Sequence, residues 1–386
     1  MYRVAFATGS RADYGIMRRF LGLLNNDSDI DLKILATGAL LDDNYGRRVE
    51  LIHRDGFDVD MEADIELDSS SNRNILHSMA IALDKFAEYF DRVKYDLLII
   101  LGDRFEMLSA AEAAAMNKIP ILHIHGGEAT FANYDEFIRH AITKMSAYHF
   151  TSAEEYRKRV IQLGESPDRV FDLGALGAEN CTYIDEANVP ADIKALPEKK
   201  YFVVLFHPET LTSASEEEQV TELLGAVKEH EDYMYIFIGS NADTNSNIIR
   251  AMVKRHVSDN ANALYYEDLH PDAYHYLVKH SVCLIGNSSS GIIEAPSLGV
   301  YTVNIGSRQD GRVRSGSVID VRCSADLISE AMERVIGLGG MAFPDNPYYK
   351  KSSAAGYYKK TKEILTELSV SGQKPKVFYD IEFEQH

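Results

Sequence analysis

Cysteine is scarce in this chain of 386 residues, and Cys181, Cys283 and Cys323 stand far apart with no CxxC pair among them. That excludes a disulfide framework and fits a reducing cytoplasm. Long apolar runs are missing too, since none approaches the ~20 residues of a membrane span. The opening, Met1 to Gly9, lacks the pattern of a signal or transit peptide and reads as a first β-strand running into a glycine turn. Positive charge is short. The 40 Lys and Arg against 59 Asp and Glu give a formal net charge of −19, which argues against nucleic-acid and anionic-membrane partners. Any bound anion must then be held by local arginines and helix N-termini against an unfavourable overall field. Short repeats and low-complexity tracts are also absent.

What is present is enough apolar residue, 45%, to bury more than one core, and a length that suits two domains. Strand-like runs cover Val4 to Thr8, Leu32 to Thr37, Leu97 to Leu101, Ile119 to Ile124, Tyr148 to Thr151 and Val170 to Leu173. Helical periodicity fills the gaps, as in Arg73 to Phe90 and the alanine-rich Phe105 to Met116. After an irregular stretch from Gly174 to Lys200 the pattern restarts. Its strands are Tyr201 to Phe206, Tyr233 to Ile238, Ala263 to Tyr266, Val282 to Ile285, Tyr301 to Ile305 and Val318 to Val321. The expectation is an α/β protein of two Rossmann-like doubly wound domains, over 1–175 and 198–345, with a cleft between them. The tail from Tyr348 to Ser369 looks helical, and this helix, over roughly 350–370, would cross back to the first domain.

Chemistry-bearing residues cluster where strands end, at the sheet edge that binds ligands in such folds. In the first half they are Gly102-Asp103-Arg104-Phe105-Glu106, His123-Ile124-His125-Gly126-Gly127-Glu128 and Tyr134-Asp135-Glu136. Three acids at neighbouring strand ends suggest proton transfer on a polar ligand. The plainer reading makes Asp103 and Arg104 a capping pair, and Asp135 and Glu136 first-turn acids favoured by the helix dipole. Arg11 follows the first strand as an anion contact or as a partner of Asp13. His123 and His125, two apart, would share a strand face and with Glu128 or Asp103 suggest a metal site. In the second half, Leu284 to Glu294 reads as strand, serine-rich turn and helix start, suited to a diphosphate at Ser288 and Ser289 and to ribose hydroxyls at Glu294, or as a simple N-cap. His207 ends the first strand there. Gly239 to Asp243, with Asn241, reads as a turn and cap, and Arg308 is placed to meet a phosphate. There is no Walker loop, and no GxGxxG stands at the first strand.

Together these motifs resemble the UDP-N-acetylglucosamine 2-epimerases, most of all the hydrolysing, bacterial capsule-type members that supply N-acetylmannosamine for sialic acid. The matching stretches run in order along nearly the whole chain: Thr8 to Arg11, Gly102 to Arg104, His125 to Glu128, Asp135 to Lys144, Phe206 to Thr210, Gly286 to Gly291 and Gly306 to Gln309. The resemblance implies a GT-B architecture, with UDP held mainly by the second domain and the sugar facing the first. By position, Asp103, Glu128 and Asp135 match the family's catalytic acids, and His207 its active-site histidine. Ser288, Ser289 and Glu294 match diphosphate and ribose contacts, and Arg11, Arg104, Asn241 and Arg308 match residues that line the cleft. The implied protein is cytoplasmic, takes a UDP-sugar, uses no metal or other cofactor, and assembles as a homodimer or homotetramer. One departure stands out, in that Leu40 occupies a slot where many members carry histidine. The competing readings are a hydrolysing epimerase of UDP-N,N′-diacetylbacillosamine, a non-hydrolysing epimerase, a GT-B glycosyltransferase, a metal-dependent hydrolase and a nucleotide-sugar sensor.

Overall fold

The run Leu97–Leu101, five apolar residues all buried, can only be satisfied in a sheet covered on both faces, and that is where it lies. The computed structural model describes residues 1–43, 46–131, 134–207, 209, 214–239, 246–267, 269–339 and 346–382. The chain folds as two units. The first gathers Met1–Glu128, Tyr134–Leu176 and the segment from Lys350 onward, and the second gathers Gly177–Tyr349 with Ala129–Asn133.

The first unit carries seven strands: β1 (Tyr2–Thr8), β2 (Ile30–Thr37), β3 (Val59–Ala63), β4 (Leu97–Leu101), β5 (Ile121–Ile124), β6 (Tyr148–Thr151) and β7 (Val170–Asp172). Their order is β3-β2-β1-β4-β5-β6-β7, and every pairing is parallel. Alternation along β1 builds two cores. Val4 and Phe6 join the layer under the helix Arg11–Asn25, whereas Ala5 and Ala7 join the layer that holds Ala110, Ala111, Ala113 and Ala114. Small residues on both sides of that second layer let the helix Phe105–Met116 lie close to the sheet.

Strand β3 is absent from the sequence reading. It is the edge strand, and its partly exposed face carries Asp60 and Glu62, so no apolar run marks it. The terminal helix spans Ser353–Ser371, beginning later than Tyr348. Within the first unit, its buried Tyr357 ring contacts Phe20 and Phe150, and the Tyr357 hydroxyl donates to the Gly174 carbonyl at 2.7 Å.

The second unit has six parallel strands: β8 (Tyr201–Leu205), β9 (Met234–Ile238), β10 (Ala263–Tyr266), β11 (Cys283–Gly286), β12 (Tyr301–Ile305) and β13 (Val318–Val321), in the order β10-β9-β8-β11-β12-β13. Phe202 and Val204 face one core, Tyr201 and Val203 the other. The stretch after Gly177 supplies Val189, Ile193 and Leu196 to that second core. Strand order reverses between β1 and β4 in the first unit and between β8 and β11 in the second. At such switch points neighbouring loops diverge to opposite faces and leave a crevice beyond the strand ends. Among the described residues no helix is long and apolar enough to cross a membrane.

Candidate functional site

The switch point of the first unit is packed around Glu106, which is fully buried. Its Oε1 accepts the Arg104 Nε–H and lies 2.1 Å from where a Cβ at Gly9 would stand and 3.1 Å from one at Gly38. The turns that follow β1 and β2 are thus glycine because the Glu106 carboxylate occupies their side-chain space. Arg104 holds the N-cap position of its helix, but its side chain makes no capping bond. Its guanidinium pKa rises, chiefly through the Glu106 charge and further through Asp13 and Asp135. Asp13 rises as well, mainly by burial. Burial and the nearby Arg48 guanidinium lower Arg11.

Asp103 is not half of a capping pair with Arg104. Its carboxylate meets Arg139, which is 1% exposed and projects from the helix Asp135–Met145. The same guanidinium donates to the Glu128 carbonyl at 2.8 Å and to Glu136 at 3.1 Å. One arginine therefore ties the Asp103 loop, the Glu128 loop and the helix that begins at Asp135. The carboxylate of Glu128 points elsewhere, accepting the Ser152 hydroxyl at 2.6 Å with His125 Nδ1 at 3.4 Å. Asp135 and Glu136 do occupy the first helical turn, as the plainer reading held.

The histidine pair departs from expectation. Strand β5 stops at Ile124, and His125 turns to φ +66, so the two rings do not share a strand face. His123 is fully buried, and both ring nitrogens are engaged. Nε2 lies 2.8 Å from the Gly102 carbonyl, which only accepts, so Nε2 donates and Nδ1 accepts from the Thr143 hydroxyl at 3.0 Å. Burial pulls its pKa down to about 3, which leaves a neutral structural imidazole. Among the described residues no group of three or more His, Cys, Asp or Glu side chains is arranged to hold a metal ion.

In the second unit the ends of β8, β11 and β12 are knitted together. Gly286 brings β11 so near β8 that a Cβ would fall 1.9 Å from the Leu205 carbonyl. Asn287, fully buried, then accepts the His207 backbone N–H at 2.8 Å and donates to the His207 carbonyl at 2.9 Å. Its own carbonyl takes Arg308 Nη1 at 3.1 Å and Gln309 Nε2 at 2.8 Å. Ser288 caps the short helix Ser289–Ile293, accepting the Ser290 N–H.

Glu294 stands at the far end of that helix, with partners of its own. Its Oε2 accepts the Ser290 hydroxyl at 2.7 Å and faces His275 Nε2 at 3.3 Å. Burial opposes its ionisation, but His275 and Ser290 outweigh it and lower the pKa. The structure thus gathers His207, Arg308 and Gln309 around Asn287, and ties Glu294 through Ser290 to the helix that Ser288 caps. Asn241 lies outside the described residues. Leu40 is buried in the first core, so that slot presents an apolar side chain to the protein interior.

Sequence reasoning passed over Arg139, Glu106, Asn287 and Glu209 as site residues although all lie in or beside the motifs it quoted. For Arg139 a signal existed, since an arginine four residues after Asp135 falls on the same face of an amphipathic helix.

Solved structures share this fold from end to end. That of UDP-GlcNAc 2-epimerase from Neisseria meningitidis bound to UDP-GlcNAc superposes with a TM-score of 0.78 over 94% of this chain and 100% of that one, at 18% identity. The protein is therefore of the GT-B class, with two Rossmann-like α/β units in one chain. Sequence narrows the class. The family profile described as UDP-N-acetylglucosamine 2-epimerase matches residues 23–360, and the chain belongs to that family. A polysialic acid biosynthesis protein P7 of Escherichia coli is 44% identical, covering 99% of this chain and 98% of that protein. A UDP-N,N′-diacetylbacillosamine 2-epimerase (hydrolyzing) of Legionella pneumophila is 34% identical over 86% of this chain and 89% of its own length.

Proposed function

We propose that the protein is a cytoplasmic hydrolysing 2-epimerase that converts UDP-N-acetylglucosamine and water to N-acetylmannosamine and UDP for sialic acid synthesis. The observation that carries this reading is the tie made by Arg139, which joins the segments bearing Asp103, Glu128 and Asp135. The 44% identity to a polysialic acid biosynthesis protein supports the pathway.

The chemistry is elimination followed by hydration. Hydrogen at C2 of the sugar has no adjacent carbonyl to acidify it, so departure of UDP leads and builds positive charge at C1. Asp103 then takes the C2 proton, the C1–O bond to UDP breaks, and a 2-acetamidoglucal forms. Water adds at C1, with Glu128 and Asp135 serving hydration and the return of a proton to C2 on the opposite face. Arg139 fixes the position of the Asp103 carboxylate for that step. In this proposal Ser288, Ser289 and Arg308 take the diphosphate, whose growing charge is stabilised by fixed donors. Glu294 takes the ribose, His207 lies near the diphosphate or sugar, and Arg11, Arg104 and Asn241 contact the substrate. The active assembly is a homodimer or homotetramer.

The second reading keeps the reaction and changes the sugar to UDP-N,N′-diacetylbacillosamine, favoured by the 34% identity to the Legionella relative. Product NMR in deuterated water, run on both nucleotide sugars, tests the proposal. Free N-acetylmannosamine with deuterium at C2, together with free UDP, is the expected result. Turnover of the bacillosamine substrate alone selects the second reading. A UDP-linked product, or a requirement for a sugar acceptor, overturns both.

A further inference from the structure

Behind the acid-bearing loops, within the first unit, lies a second charged cluster that the proposed chemistry does not use. Its centre is Glu165, 3% exposed. Lys144 Nζ donates to Oε1 at 2.6 Å, His149 Nε2 lies 3.1 Å from Oε2, and Lys376 Nζ also donates to Oε2. Lys144 and His149 come from the sheet and its helix. Lys376 comes from the C-terminal tail, which leaves the helix Ser353–Ser371 and has neither helix nor strand over the described residues 372–382.

Three neighbouring residues dock that tail within its described part. The Tyr379 N–H donates to the Gly164 carbonyl at 2.9 Å. The Phe378 ring covers Gly164 so closely that a Cβ there would come within 2.3 Å of it, and the Lys144 ammonium stands 4.8 Å from the ring centroid. Lys376 reaches deepest, for its ammonium also donates to the Thr143 carbonyl at 3.3 Å and to the Ser146 carbonyl.

Those two carbonyls close the C-terminal end of the helix Asp135–Met145. The Thr143 carbonyl also takes the Ser146 N–H at 3.1 Å, and a cation at this end complements the helix dipole. The other end of the same helix begins with Asp135, and its middle carries Arg139. Thr143 also bonds His123, whose other nitrogen holds the Gly102 carbonyl next to Asp103. A Cβ at Gly126 would stand 3.0 Å from the Thr143 hydroxyl and 3.1 Å from the His123 ring, so both abut the glycine turn before Glu128. Lys376 is thus two side chains away from every segment that carries a candidate acid.

We propose that Lys376 is a positioning residue. Docked through it, the C-terminal tail fixes the helix Asp135–Met145 and the His123 contact in the register that acid chemistry at Asp103 and Asp135 requires. The catalytic part of this statement rests on the epimerase reading, while the mechanical part does not. Lys376 touches no substrate and acts through Thr143 and His123.

Lys376→Met, Lys376→Arg and Phe378→Ala, with Lys374→Met on the same tail as control, test it by steady-state kinetics and by amide hydrogen exchange. Lys376→Met is expected to lower kcat about tenfold and leave KM within about twofold, as loss of transition-state geometry should. Exchange should rise locally, over 143–146 and around Gly102. Lys376→Arg should recover most of kcat, Phe378→Ala should shift both readouts in the same direction by less, and Lys374→Met should match the parent. Wild-type kcat and exchange in Lys376→Met overturn the proposal. So does a uniform loss of protection across the unit with kcat per folded molecule unchanged, since that marks simple stabilisation. If the parent turns over no UDP-sugar, the functional reading falls, while the exchange pattern still decides the role of Lys376.

Discussion

Glu209 accepts the backbone N–H of Ser307 at 2.7 Å, so a residue from the end of β8 holds the loop that follows β12. The same Oε1 takes the Arg308 N–H at 2.8 Å, and a Cβ on Gly306 would fall 2.3 Å from it. Glu209→Ala should free that loop. Two charge-assisted hydrogen bonds, each worth about 1.5–3 kcal/mol, hold Arg308 in place, so UDP affinity by calorimetry should fall at least about tenfold. Glu209→Gln keeps a neutral acceptor and should lose less. Equal affinity in all three proteins would separate this loop from the nucleotide.

Replacing Asp103 tests the division of labour. General base catalysis contributes roughly 100- to 10,000-fold, so Asp103→Asn should lose turnover in that range and still bind UDP. Near-normal kcat would remove Asp103 as the C2 base.

Arg139, itself buried, holds a partly exposed acid and the Glu128 carbonyl. Arg139→Met leaves Asp103 without that partner, and because the carboxylate is 23% exposed the cost should fall short of the about 3–5 kcal/mol of a fully buried pair. Arg139→Lys keeps the charge but not the forked geometry and should recover only part. Urea denaturation gives the stability and initial rates give the activity, and both should fall together.

Two glycines at positive φ make a matched comparison. Gly127 has φ +81, and a Cβ there would meet the Tyr156 carbonyl at 2.5 Å. Gly102 has φ +76 with nothing within 4 Å. Gly102→Ala carries only backbone strain, about 1–2 kcal/mol. Gly127→Ala carries the collision as well, so its melting temperature should drop clearly further. Equal losses would contradict the packing described for that turn.

Acid should act on the Glu165 cluster. Burial alone would raise this carboxyl, but His149, Lys144 and Lys376 outweigh it and pull the pKa from 4.5 to about 2. A depressed folded pKa gives stability that is complete above the unfolded value and is lost as pH falls toward the folded one. His149, lowered mainly by burial, acts in the same direction. The urea midpoint of the parent should therefore begin to decline below about pH 6.5 through His149 and fall further below about pH 4.5 as Glu165 joins it. Glu165→Gln should start lower at neutral pH and fall less steeply over that window. Parallel slopes would show that Glu165 is not the group responsible.

The sequence made the two sheets legible because their central strands are buried on both faces and so form unbroken apolar runs such as Leu97–Leu101. It hid β3 because an edge strand with Asp60 and Glu62 on one face resembles a surface loop. The candidate acids stood out because each follows a strand or opens a helix. Their partners did not, because Arg139 and Asp103 are 36 residues apart and Glu209 and Ser307 are 98 apart, and no local pattern encodes such pairings. His125 misled for a related reason, as two-residue spacing implies a shared face only while the strand continues, and β5 ends one residue before it.

The side chain of Asn287 imitates a peptide. Giving and taking one hydrogen bond with His207, it adds a rung to the β8–β11 ladder where the backbone has already turned away, while the backbone carbonyl of Asn287 anchors Arg308 and Gln309. The ends of β8 and β11 are thereby joined by side-chain bonds beyond the last backbone pairing. A nucleotide arriving there would find its donors already arranged, so little conformational entropy would be spent on ordering these particular strand ends.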